Sequence, residues 1–95
     1  MTNSRFEWDT EKAAANINKH GVSFHVAVGA FLDSFAIERI DGRKDYGEER
    51  INMVAMCGGT LLHVTYSERG ECIRIISARQ AEKYECEDYY RENRF

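Results

Sequence analysis

The chain has 95 residues, 43% of them hydrophobic and 31% charged, with no proline. This fits one compact domain over residues 1–95 with a modest core, and leaves no room for a second. The formal net charge of -3 argues against a protein that holds nucleic acid by diffuse positive charge, so any RNA contact has to be local.

Cys57, Cys72 and Cys86 are odd in number and lack short metal-type spacing, so disulfides, zinc and other cofactors are not expected. The apolar runs are too short for a membrane span, and the first residues lack a signal-peptide pattern. A reduced, cytoplasmic setting without membrane roles is the expectation.

Phe6-Glu7-Trp8 alternates apolar and polar residues as a short strand, and Asp9 is a good N-cap for a helix over Thr10 to His20. Ala13, Ala14 and Ile17 are expected to form its buried stripe. Gly21 suits a left-handed C-cap, with Lys19 and His20 beside the negative helix end. Ser23 caps a second helix whose Phe24, Ala27, Val28 and Phe31 define an apolar face.

Phe35 to Ile40 alternates as a strand, and Asp41 to Glu49 is a polar loop. Arg50 to Cys57 and Thr60 to Tyr66 alternate on either side of Gly58-Gly59, a two-residue hairpin signal. Ser67 to Gly70 suits a four-residue turn into a third strand, Glu71 to about Ala78. A polar, acidic helix from about Gln80 to Glu92, carrying Tyr84, Tyr89 and Tyr90, ends the chain. The fold class is α+β: an N-terminal strand, two helices, an antiparallel meander and a C-terminal helix.

With these turns, Ile51, Met53, Ala55, Leu62, Val64, Tyr66, Ile73 and Ile75 fall on one face of the meander. Arg50, Asn52, His63, Thr65 and Arg74 fall on the other, which is expected to be open. Guanidinium groups hold phosphate through paired hydrogen bonds, and an imidazole titrates near neutrality. Together they suit cleavage of RNA by its own 2′-hydroxyl, which needs a base, an acid and cations for the charged phosphorane.

Plainer readings stand beside these. His63 also fits an ordinary strand residue bonded to a neighbour, and Arg50 and Arg74 fit ion pairs with Glu48, Glu49 or Glu71. His20 fits a partner of the helix dipole, Trp8 a core residue, and the last helix's tyrosines protein contacts. Asp41 and Asp45 lack a third oxygen ligand at calcium-loop spacing.

The linked motifs Phe6-Glu7-Trp8-Asp9, Lys12, Asn16, Lys19-His20-Gly21-Val22, Phe24, Ala27 and Phe31 continue in Tyr46-Gly47-Glu48-Glu49-Arg50 and Tyr66-Ser67-Glu68-Arg69-Gly70. With Ile73-Arg74-Ile75-Ile76-Ser77-Ala78-Arg79, the set resembles the BrnT family of toxins from Phe6 to about Tyr89. The resemblance implies a RelE-like fold and metal-independent ribonuclease activity that inhibits translation. It also implies a cognate BrnA-like antitoxin in a type II toxin–antitoxin complex, with operator DNA contacted only through that antitoxin.

By motif position, the resemblance assigns RNA binding to Lys19, Arg50, Arg74, Ser77 and Arg79. Transition-state charge goes to Arg50, Arg74 and Arg79, and proton transfer to His20 or His63 and Glu85. One departure is the last helix, often basic in BrnT-like toxins, where here Glu82, Glu85, Glu87, Asp88 and Glu92 outnumber Lys83, Arg91 and Arg94. An acidic helix fits a basic antitoxin surface, and so an alternative role as a non-catalytic or attenuated antitoxin-binding module in complex assembly and transcriptional autoregulation.

Overall fold

The computed structural model describes residues 5–41 and 48–94. The elements in chain order are β1 (Phe6–Glu7), α1 (Thr10–His20), α2 (Phe24–Ala30), β2 (Ile37–Asp41), β3 (Arg50–Cys57), β4 (Thr60–Arg69), β5 (Cys72–Gln80) and α3 (Lys83–Asn93). The strands form one sheet in the order β1-β5-β4-β3-β2, with β1 parallel to β5 and the other pairs antiparallel. The α+β arrangement expected from the sequence is the one observed. Of the expected loop from Asp41 to Glu49, Asp41 ends β2, and Gly42 to Gly47, including Asp45 and Tyr46, lie outside the described residues.

The α1 boundaries follow from its caps. The Asp9 carboxylate accepts from the Glu11 and Lys12 N–H groups at 2.8 and 3.0 Å, satisfying two donors that the first turn leaves open. Gly21 adopts φ 74°, where a side chain would be strained, and its N–H closes the helix on the Ile17 carbonyl at 2.8 Å. Ser23 caps α2 through Val26 N–H.

The buried stripe of α1 differs from the expectation: Ala14 and Ile17 are exposed and Ala13 is half-buried. The buried residue of this helix is the polar Asn16, 6% exposed. Its carboxamide donates to the Val22 and Ala78 carbonyls at 2.8 and 2.7 Å and accepts from Ala78 N–H at 3.2 Å. The helix is held to β5 by hydrogen bonds where an apolar stripe was expected.

The main core lies between α2 and one sheet face: Phe24, Ala27 and Ala30 pack on Met53, Ala55, Leu62, Val64, Tyr66, Ile75 and Ala78. Trp8 packs half-buried at its edge, its ring set edge-on to Phe24 and His25. The β3–β4 register is the expected one, with Ile51 opposite Tyr66, Met53 opposite Val64 and Ala55 opposite Leu62.

The β4–β5 connection is not the expected four-residue turn. β4 continues through Ser67, Glu68 and Arg69, and only Gly70 and Glu71 turn the chain, so that Arg69 faces Cys72 and Tyr66 faces Ile75. Gly70 supplies a φ of 61° that a two-residue turn demands of its first member. The pairing is displaced by an even number of residues, so Ile73 and Ile75 keep their apolar face and Arg74 stays opposite it.

A bulge then interrupts the ladder. Tyr66 faces Ile75 but Thr65 faces Ser77, leaving Ile76 as an extra residue on β5. From this point the alternation of β5 is reversed: Ala78 enters the core and Arg79 comes out beside His63 on the other face.

That other face is only partly open. Val54 and Leu61 project from it and bury Tyr89 of α3, with Ile37, Met56, Ala81 and Cys86 around them. The last helix begins at Lys83, later than expected. Glu82 is its N-cap, and the capping box with Glu85 satisfies the first turn. Asp33 ties α3 down: its carboxylate accepts from Phe35 N–H, Met56 N–H and the Tyr89 hydroxyl at 2.9, 2.8 and 2.7 Å.

Candidate functional site

Beyond the Met56–Leu61 pair, which α3 covers, three further rows of side chains cross the same face. Nearest α3, Ile37 of β2 faces Val54 of β3, which faces His63 of β4, which faces Arg79 of β5. The next row is Arg39, Asn52, Thr65 and Ser77. In the third, Asp41 faces Arg50, Ser67 faces Arg74, and Arg74 faces Glu7 of β1. Successive rows lie about 7 Å apart, two residues along each strand.

The first row holds the densest chemistry. Arg79 meets Glu85 of α3 through two bonds, Nη1 to Oε1 and Nη2 to Oε2, both 2.9 Å, and its Nη1 also donates to the Gln80 carbonyl at 3.2 Å. The other oxygen contacts of Glu85 come from Glu82 N–H at 2.8 Å and the Tyr84 hydroxyl at 3.3 Å. His63 Nε2 is 3.6 Å from Glu85 Oε2, with the histidine side chain 14% exposed and that of the glutamate 7%.

These contacts set the protonation states. Burial and the neighbouring Arg79 charge push the His63 imidazole below its usual value, only partly offset by Glu85. It is therefore neutral at pH 7, as a general base must be. Burial pushes the Glu85 carboxyl up, but its bonds from Arg79 and Glu82 N–H and the nearby His63 outweigh this and leave it lowered. Glu85 is ionised and locked to Arg79, whose guanidinium keeps its Nε–H and one Nη2–H for another acceptor.

In the second row, the Thr65 hydroxyl donates to Asn52 Oδ1 at 2.8 Å, which turns the Asn52 amide nitrogen away from it. A cleft of about 210 Å³ opens between this part of the sheet and α3, lined by Ile37, Arg39, Asn52, Val54, His63, Tyr84, Glu85 and Asp88.

The third row is separated from the first. Arg74 Nη1 contacts Glu7 at 3.4 Å, so its ion pair is with β1 and not with the acids weighed in the sequence. Arg50 stands beside Asp41 on β3, and the intervening Ser67 is 1% exposed. Arg50 and Arg74 thus share a face with His63 and Arg79 but lie about 14 Å along the strands from them. Lys19 and His20 end α1, which Asn16 ties to the outer edge of β5 at Ala78.

His63, Arg79 and Glu85 are brought together; Ser77 lies one row away and Arg50 and Arg74 two rows away, while Lys19 and His20 belong to the last turn of α1 and are not among the residues joined there. Asn52 and Thr65 stand where the register placed them. Tyr84 and Asp88 had no assigned role in this cleft. The signal for it lies in Val54, Met56 and Leu61, apolar residues on an otherwise polar face that require a covering element.

The family model described as "Ribonuclease toxin, BrnT, of type II toxin-antitoxin system" matches residues 8–85. The matched span runs from Trp8 through β2, β3, β4 and β5 and ends at Glu85 in α3. No curated protein matches the chain.

Proposed function

The chain belongs to the BrnT family of ribonuclease toxins of type II toxin–antitoxin systems, and on that premise we propose that it is a metal-independent, RelE-like endoribonuclease whose catalytic centre is the junction of His63, Arg79 and Glu85. The observation that carries this is a half-buried imidazole, its pKa held down by burial and Arg79, beside a guanidinium that a second side chain holds in place.

In this reading the 2′-hydroxyl of the RNA attacks the adjacent phosphorus. Neutral His63 takes the hydroxyl proton while the new O–P bond forms. The bond from phosphorus to the 5′-oxygen breaks, and water in the open cleft protonates the departing oxygen, leaving a cyclic phosphate and a 5′-hydroxyl. Arg79 directs its remaining N–H groups at the phosphorane charge. Glu85, ionised and bonded to Arg79, positions the guanidinium and keeps the imidazole oriented. Arg50, Arg74, Thr65 and Ser77 extend the face along which the RNA backbone lies.

Membership of a type II family implies an antitoxin partner. We assign that role to a BrnA-like protein acting in the cytoplasm, contacting operator DNA itself and inhibiting the toxin's effect on translation. A second reading, a binding module without catalysis, is favoured by one observation: the cation nearest His63 is already neutralised by Glu85.

The test is induction of the protein alone in cells, with growth, translation and RNA decay followed for the wild type, His63→Ala and Arg79→Ala. The catalytic reading expects RNA decay in the wild type and its loss in both variants, with antitoxin binding retained. Abundant folded wild type that leaves RNA intact refutes catalysis, and variants that lose antitoxin binding to the same extent point to the module.

A further inference from the structure

We propose that the cleft between β2, β3 and α3 is a subsite that seats one unpaired nucleobase of the RNA next to His63. This deepens, and rests on, the ribonuclease reading of the same site. The cleft holds about 210 Å³, room for roughly seven waters at about 30 Å³ each. That is less than the ~300 Å³ at which sites for drug-sized ligands begin, and it suits one planar ring system, not a whole nucleotide.

Its lining has the parts that hold a base. Ile37 and Val54 supply an apolar floor, and Tyr84 stands at the mouth, 59% exposed, with its hydroxyl donating to Glu85 Oε2 at 3.3 Å. That bond holds beside the catalytic histidine an aromatic face that, among the described residues, pairs with no other ring, so that a base can stack on it. Asn52 has its carbonyl oxygen engaged by Thr65, which leaves the amide N–H donors for the cleft. Asp88 gives one carboxylate oxygen to Arg91 and keeps the other as an acceptor.

A donor and an acceptor above an apolar floor match the paired donor and acceptor on the Watson–Crick edge of a base. Since His63 lines the same cleft, the base that fits belongs to a nucleotide flanking the cleaved phosphate. The larger hollow beside the β4–β5 turn, lined by Arg5, Glu68, Gly70, Glu71, Cys72 and Ile73, has no aromatic face and no histidine, and does not compete for this role.

The experiment compares cleavage of an RNA oligonucleotide with that of versions lacking the base at either nucleotide flanking the cut. The wild type is expected to prefer the intact RNA by about 5- to 150-fold at one of the two positions, the range that base–aromatic stacking supports. Tyr84→Ala is expected to bring that intact-to-abasic ratio close to one, and Tyr84→Phe to keep most of it.

A wild-type ratio near one at both positions overturns the subsite while leaving the ribonuclease reading intact. So does a Tyr84→Ala variant that slows intact and abasic RNA by the same factor. Folded wild type that cleaves no RNA overturns the ribonuclease reading, and the subsite with it.

Discussion

Arg79 faces His63 across the β4–β5 ladder, and the Glu85 carboxylate that holds Arg79 at 2.9 Å also reaches to 3.6 Å from His63 Nε2. One carboxylate thus touches both groups, and its effect on the imidazole is separable from those of burial and Arg79. Glu85 raises the His63 pKa directly, while burial and Arg79 lower it. Replacing Glu85 with Gln removes the largest raising contribution and leaves burial and Arg79 in place, so the imidazole should titrate lower still. An NMR titration of the His63 ring in Glu85→Gln checks this; a midpoint at or above that of the wild type contradicts the arrangement.

The same shifts predict how stability follows pH. A histidine whose folded pKa is depressed binds fewer protons folded than unfolded, so stability is complete above the unfolded value of about 6.5 and falls as pH drops toward the folded one. Glu85 and Asp33 are both lowered, burial opposing and their hydrogen bonds prevailing. Their contribution is lost at lower pH, as acid titrates them through their folded values. Denaturant midpoints measured from pH 7 downward should decline in two stages, and His63→Gln should flatten the upper stage alone. A variant that keeps the upper slope would assign it to another group.

The two arginines on β5 should behave differently. Arg79 lies beside His63, whereas Arg74 is two rows away and paired with Glu7. Removing a donor aimed at transition-state charge typically costs about 100- to 1000-fold in turnover, so Arg79→Ala should lower kcat by about that factor. Arg74→Ala should act on binding, raising KM several-fold and reducing its salt dependence while leaving kcat within about threefold. Equal losses of kcat in both variants would mean that the RNA reaches its scissile phosphate near the third row.

The difference between these arginines also shows where the sequence was legible. Capping residues, the Gly58-Gly59 hairpin and the β3–β4 register follow from local chemistry, and Asp9, Gly21 and Ser23 act as that chemistry predicts. Ser67-Glu68-Arg69 read as a turn because it is polar, yet the strand runs on through it, since Glu68 and Arg69 sit at the exposed end of β4 and Gly70 makes the sharper turn. The bulge at Ile76 is written in no single residue. It arises because Ala78 and Ile75 must both enter the core although three residues apart, and its consequence is that Arg79 reaches the face of His63.

Asn16 is the residue on which that consequence depends. β1 pairs with β5 at Ile73 and Arg74, and beyond it no strand of the described residues covers the outer edge of β5. There the Asn16 carboxamide bonds both backbone groups of Ala78, as a neighbouring strand would, and also the Val22 carbonyl. Asn16→Ala leaves these buried groups unsatisfied and should cost about 2–4 kcal/mol, from lost bonds worth ~1 kcal/mol each and the added penalty of burying unpaired groups. Asn16→Asp should cost at least as much, because a carboxylate cannot donate to the Val22 and Ala78 carbonyls and would sit against them. Because Ala78 directly precedes Arg79, either variant should also lower RNA cleavage under conditions where the protein remains folded. Urea unfolding with parallel activity measurements tests both effects. A loss below about 0.5 kcal/mol, the range of ordinary surface changes, would show that Asn16 does not hold this edge of the sheet.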